Sequence, residues 1–89
     1  MLVIRGQGFK MEVGVLGSGS WGTALAALLA KKGNVVKMWS FEGQVVQDVM
    51  LHQENIKYLP GIQLPKTLIA TDSISQAVSG SEVIISVSP

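Results

Sequence analysis

Residues Gly17–Gly22 read GSGSWG and separate a short apolar run, MEVGVLG (11–17), from a longer alanine- and leucine-rich run, SWGTALAALLAKK (20–32). Glycines so placed have two physical explanations. Either the chain must turn where other residues would be strained, or something must reach the backbone where a side chain would block it. The flanks narrow the choice. The first run has the length and apolarity of a buried strand. The second predicts a helix, with Gly22, Ala26 and Ala30 four apart on one face, so that it can lie close against a sheet. Lys31 and Lys32 suit the negative end of that helix, and Gly33 ends it.

The pattern repeats outward from this turn. VVKMW (35–39) is β-branched and apolar and makes a second strand. Residues 42–53 carry Val45, Val46, Val49 and Met50 at helical spacing. Residues 54–66, ENIKYLPGIQLPK, hold two prolines and a glycine and read as a loop. TLIA (67–70) is a third strand. SISQ (73–76) fits a capping box in which the Ser73 hydroxyl caps and Gln76 reaches back to the Ser73 N–H. A short helix follows to about Val78, and Gly80 ends it. EVIISV (82–87) is the fourth strand. The order β-α-β-α-β-α-β implies an α/β fold, a Rossmann-like doubly wound parallel sheet with helices on both faces. Only the N-terminal half of such a sheet is present, with expected strand order 3-2-1-4, and its ligand crevice lies at the first strand-to-helix turn. That turn is GSGSWG.

Bulk composition narrows the class further. The chain has 89 residues, 47% apolar and only 15% charged, well below the roughly 25% charge of an average soluble domain. Such a chain is mostly buried sheet, or other parts of a larger protein cover its faces. Net charge is +1, and of seven basic residues only Lys31 and Lys32 are adjacent, so no nucleic-acid partner is expected. Without cysteine there are neither disulfides nor thiolate metal sites, and no metal site is expected. No run approaches the roughly 18 apolar residues of a membrane span, and a cytoplasmic location is the default. Residues 1–10 read as an upstream extension or an added remnant, and 11–89 as a partial dinucleotide-binding domain.

Gly17, Gly19 and Gly22 match G-x-G-x-x-G directly after a strand and opening a helix. In that motif the first glycine permits the tight turn, the second lets a pyrophosphate approach the backbone, and the third lets the helix pack closely. Free N–H groups at the helix start then face the phosphates. A P-loop needs lysine after Gly22, where Thr23 stands; a kinase loop needs a strand on each side. The motif also expects an acid about 20 residues on, to bind the ribose. Glu42 sits there, in the first turn of the next helix, and reads either as that acid or as a helix-dipole carboxylate. No arginine lies near this strand end to clamp a 2′-phosphate, which favours NAD over NADP.

GSGSWGTALAALLA, then VVKMWSFE, then ENIKYLPGIQLP together resemble the NAD(P)-dependent glycerol-3-phosphate dehydrogenases, from about Met11 to Pro89. The Ser-Trp-Gly-Thr-Ala run (20–24) and the Asn-x-x-Tyr-Leu-Pro-Gly segment (55–61) are the specific elements. The resemblance implies an oxidoreductase that interconverts dihydroxyacetone phosphate and sn-glycerol 3-phosphate, the precursor of phospholipid backbones. It implies that Gly17, Ser18, Gly19, Ser20, Trp21 and Gly22 meet the cofactor near its pyrophosphate. Phe41 and Glu42 then occupy the adenosine end, and Tyr58 approaches from the Tyr-Leu-Pro loop. Many bacterial members of the family carry a basic residue where Phe41 or Glu42 stands, and Phe41 looks more like the eukaryotic NAD-using form. Ser88 departs from the family by replacing an apolar residue before Pro89. The family's catalytic lysine and phosphate-binding residues lie downstream, in a helical second domain, so no catalytic residue is assigned within 1–89. A small phosphorylated substrate and a homodimer are the implied partners of the complete enzyme.

Plainer roles compete for several of these residues. Trp21 and Phe41 are alternatively core aromatics, and Tyr58 a packing residue with a wet hydroxyl. His52 reads as a surface helix residue, and Lys57 and Lys66 as solvated. Two other functions remain open: a stand-alone dinucleotide-binding regulatory module, and a non-binding α/β interaction fragment. VIISV (83–87), β-branched and uncharged at an open sheet edge, is expected to make the isolated chain associate.

Overall fold

A computed structural model describes residues 10–87. The proposed 1–10 extension, apart from Lys10, and the Ser88–Pro89 departure lie outside that range. Seven elements follow in order: β1 (Glu12–Leu16), α1 (Ser20–Lys31), β2 (Val35–Trp39), α2 (Gly43–His52), β3 (Ile69–Thr71), α3 (Ile74–Val78) and β4 (Val83–Ser86). The four strands form one parallel sheet in the order β3-β2-β1-β4, as the alternating pattern predicts.

Strand alternation divides the side chains between two faces. Val13, Val15, Val36, Met38 and Ala70 point to one face. There they meet Ala26, Ala27 and Ala30 of α1 and Val45 and Val49 of α2 in a single buried cluster. The small residues of α1 bring its backbone close to the sheet. Gly14 points to the other face, where α3 lies so near that a Cβ on Gly14 would stand 2.5 Å from the Ala77 carbonyl oxygen. This second face is thinly covered: α3 is five residues long, and Ile69, Ile74 and Ile84 remain exposed.

Several boundaries differ from the sequence reading. β3 begins two residues late because Leu68 closes a turn onto the Pro65 carbonyl (3.1 Å) and spends its side chain in the core instead of in a ladder. The 54–66 segment is ordered. Leu59 N–H donates to Asn55 O and Leu64 N–H to Gln53 O (2.8 Å each), and Leu64 is buried. Half of the capping box forms: Ser73 Oγ accepts from the Gln76 N–H at 3.2 Å. The other half runs through Thr71, whose hydroxyl accepts from the Ser73 N–H (3.1 Å) and donates to Gln76 Oε1 (2.6 Å).

Candidate functional site

The GSGSWG turn leaves β1 at the carboxyl end of the sheet, and its three glycines have different reasons to be glycine. Gly17 has φ +143°, and a Cβ there would stand 2.5 Å from the Val87 carbonyl oxygen. A Cβ on Gly22 would stand 2.7 Å from the Gly17 carbonyl oxygen, so this glycine seats α1 against the turn itself as well as near the sheet. Gly19 has neither reason. Its backbone is extended (φ −68°, ψ −174°), and a Cβ there would meet nothing within 4 Å among the described residues. No side chain caps this end of α1, and no acid stands in its first turn.

In front of the turn lies a cleft of about 840 Å³, within the usual size of small-molecule sites. Its walls include all nine residues singled out from the sequence: Gly17, Ser18, Gly19, Ser20, Trp21 and Gly22 on one side, and Phe41, Glu42 and Tyr58 on the other. Leu16, Trp39, Ser40, Ser86 and Val87 complete them. Trp21 and Phe41 are each 76% exposed, which overturns the core reading of both. Phe41 leans on Trp39 with ring centroids 6.2 Å apart, and Trp39 is anchored by its indole N–H on the Asp72 carbonyl (3.1 Å). His52 is an exposed residue near the end of α2, as expected.

Beneath the cleft runs a buried polar network not foreseen from the sequence. Asn55, fully buried, donates from Nδ2 to the Ser18 carbonyl (2.8 Å) and to Thr23 Oγ1 (2.7 Å), and its Oδ1 accepts from the Tyr58 N–H (3.2 Å). Thr23 Oγ1 donates to the Ser18 carbonyl (3.1 Å), the Ser18 hydroxyl to Ser40 Oγ (2.7 Å), and Ser40 Oγ accepts from the Glu42 N–H (3.1 Å). Among the described residues no buried side-chain polar atom is left without a partner. This explains the Asn-x-x-Tyr spacing: one asparagine holds the glycine turn with its amide nitrogen and the Tyr58 turn with its oxygen.

Glu42 stands at the start of α2 as its N-cap residue in extended conformation, but its side chain does not cap. Its place at the helix start fits the helix-dipole reading, and its carboxylate finds its partners in the 57–58 turn. One carboxylate oxygen accepts from Lys57 Nζ and the other from the Tyr58 hydroxyl (2.5 Å). Lys57 also lies 5.1 Å from the Tyr58 ring centroid. The Lys57 ammonium, followed by the Tyr58 hydroxyl, holds the Glu42 carboxyl below its ordinary range, and Glu42 foremost raises Lys57 above its own. So Lys57 is exposed but paired, and the Tyr58 hydroxyl rests on a carboxylate.

A parallel half-sheet ordered 3-2-1-4, with a glycine turn opening its first helix over a cleft, is the N-terminal half of a Rossmann-like dinucleotide fold. The family model described as NAD-dependent glycerol-3-phosphate dehydrogenase N-terminus matches residues 12–89. The chain belongs to this family. It is 47% identical over 75 residues to the NAD(P)+ glycerol-3-phosphate dehydrogenase of Anaeromyxobacter sp. (strain K), covering 84% of this chain and 23% of that protein. To the Stenotrophomonas maltophilia (strain K279a) enzyme of the same name it is 46% identical over 78 residues, 88% of this chain and 23% of that protein. Among solved structures, glycerol-3-phosphate dehydrogenase from Coxiella burnetii superposes with a TM-score of 0.80 at 39% identity, over 86% of this chain and 24% of that one. The Saccharomyces cerevisiae enzyme gives 0.79 at 33%, over 89% and 26%. The chain thus spans about a quarter of the length of the relatives it matches.

Proposed function

We propose that this chain forms the pyrophosphate and adenosine half of an NAD(P)H site. The complete protein then interconverts dihydroxyacetone phosphate and sn-glycerol 3-phosphate by hydride transfer, for glycerophospholipid synthesis, as a cytoplasmic homodimer. Gly19 is the observation that carries the assignment. Nothing among the described residues requires a glycine there, yet the position lines the cleft at the uncapped start of α1. A group approaching from outside supplies the missing reason, and phosphate suits the unpaired N–H groups of a helix start.

The roles divide along the cleft. Ser18, Gly19, Ser20, Trp21 and Gly22 receive the pyrophosphate through backbone N–H groups, with the Trp21 ring as a wall, while Gly17, whose N–H donates to the Trp39 carbonyl, shapes the turn beside it. Phe41 presents an exposed ring to the adenosine end, and Glu42 offers a carboxylate to a ribose 2′-hydroxyl. Tyr58 orients that carboxylate by its hydrogen bond. When bound, the nicotinamide supplies hydride chemistry. The acid that protonates the substrate alkoxide and the groups that hold its phosphate are assigned to the rest of the protein.

Calorimetric titration of the full-length protein with NADH and NADPH, followed by turnover on dihydroxyacetone phosphate, tests this. NADH is expected to bind at least as well as NADPH and to be oxidised only when that ketone is present. Failure of both nucleotides to bind would overturn the assignment. Binding without turnover would favour a regulatory module. A preference for NADPH of tenfold or more, about 1.4 kcal/mol, would misplace the ribose contact.

A further inference from the structure

Glu42 and Lys57 lie fifteen residues apart in sequence and meet at the adenosine end of the cleft. They are the one salt bridge among the described residues. The Glu42 side chain is 17% exposed and lines the cleft, whereas Lys57 is 58% exposed and reaches it from the rim. Their anchorages differ too. Glu42 is fixed by the Tyr58 hydroxyl through one oxygen and by Ser40 through its backbone N–H. Lys57 touches it only at the tip of a long stem, through the other oxygen.

We propose that the Glu42–Lys57 pair sets which dinucleotide the site admits, with Glu42 accepting from a ribose 2′-hydroxyl and Lys57 leaving Glu42 to meet a 2′-phosphate. The inference rests on the dinucleotide assignment made above. A phosphate monoester carries close to two negative charges at neutral pH. Facing Glu42 alone, it would meet a like charge at hydrogen-bond range. Facing the pair, it meets a site of zero net charge that already contains a cation. Lys57 is suited to the exchange, because a flexible ammonium donates equally well to a carboxylate or a phosphate oxygen. Its move breaks a contact at an exposed rim, where ion pairs are weak, and leaves the Asn55 network underneath untouched. Glu42, still held by Tyr58, stays in place to read a 2′-hydroxyl when no phosphate is present. Sequence alone misses this cation, because the fold brings it from the Asn-x-x-Tyr turn and not from the end of β2.

The test is the ratio of the NADPH to the NADH dissociation constant, measured by calorimetry on the full-length protein. Lys57→Met keeps the stem and removes the charge; the ratio should rise about tenfold, the scale of one charge-assisted hydrogen bond. Glu42→Gln removes the repulsion and frees Lys57; the ratio should fall by a similar factor. Lys57→Arg keeps the cation and should leave the ratio near its wild-type value. If Lys57→Met and Glu42→Gln both stay within about twofold of wild type, the pair does not select the dinucleotide, although the cofactor assignment stands. If wild type binds neither NADH nor NADPH, the cofactor assignment falls and this inference falls with it.

Discussion

The floor and the rim of the cleft are built from opposite materials. The floor is neutral, buried and fully hydrogen-bonded: Ser18, Thr23, Ser40 and Asn55 tie the glycine turn, the end of β2 and the Tyr58 turn into one unit. The rim carries the charge: Trp21, Phe41 and Lys57 stand in solvent, and Lys57 reaches the better-covered Glu42 only by the tip of its side chain. A buried polar group without a partner is costly, so the floor has one low-energy arrangement. An exposed ion pair is worth little, so the rim can change partners at small cost. The shape of the site therefore resides in the floor and its selectivity in the rim.

The floor should break hardest. Asn55→Leu takes from the Tyr58 N–H its acceptor, from Thr23 Oγ1 its donor and from the Ser18 carbonyl one of two donors, and should cost about 3 kcal/mol or more. Urea unfolding of wild type and variant measures it, and a loss below about 1 kcal/mol would mean that the network is dispensable. Gly17→Ala comes next. It combines a strained φ with a Cβ pressed on the Val87 carbonyl and should cost about 2 kcal/mol in the same assay.

Most of the fold is legible in the sequence alone, because period-two and period-3.6 patterns and the glycine spacing depend on local chemistry. The two-residue delay of β3 was not, since Leu68 is apolar whether it joins a ladder or closes a turn. The nine cleft residues were legible from the motif and the family resemblance. Asn55, Ser40 and Lys57 were missed for a common reason. Their roles depend on a partner 15 to 37 residues away, and a polar residue in a loop gives no local sign of being buried or paired. Thr23 was in plain view inside the Ser-Trp-Gly-Thr-Ala run, but its hydroxyl acquires a meaning only when Asn55 arrives.

The rim should break more gently and only in particular conditions. The Glu42 carboxyl is depressed by Lys57 and Tyr58, so what the pair contributes is present above the ordinary carboxylate value of 4.5 and is lost as pH falls through the lower folded value. Lys57 is raised, so its share is present below the ordinary lysine value of 10.5 and is lost only as pH rises past the higher folded value. Thermal melts of wild type and Glu42→Gln should differ slightly and constantly between those limits and converge in acid. A gap that widens in acid would contradict the pairing.

The smallest change to the fold itself is expected at the far edge of the sheet. β4 pairs with β1 on one side only, among the described residues, and Ile84 is half exposed. The 89-residue chain made alone should therefore associate as its concentration rises. Light scattering over a concentration series reads this directly, and a monodisperse monomer at about 100 µM, a concentration at which open edges drive association, would show the edge to be protected.

Gly19→Val separates the two explanations of a glycine-rich turn in one variant. Its Cβ would enter open space on an extended backbone, so the melting temperature of the full-length protein should stay at the wild-type value. The same branched side chain would stand where a pyrophosphate must approach, so calorimetric titration with NADH should show binding abolished. A variant that melts like wild type and still binds NADH with wild-type affinity would contradict the account.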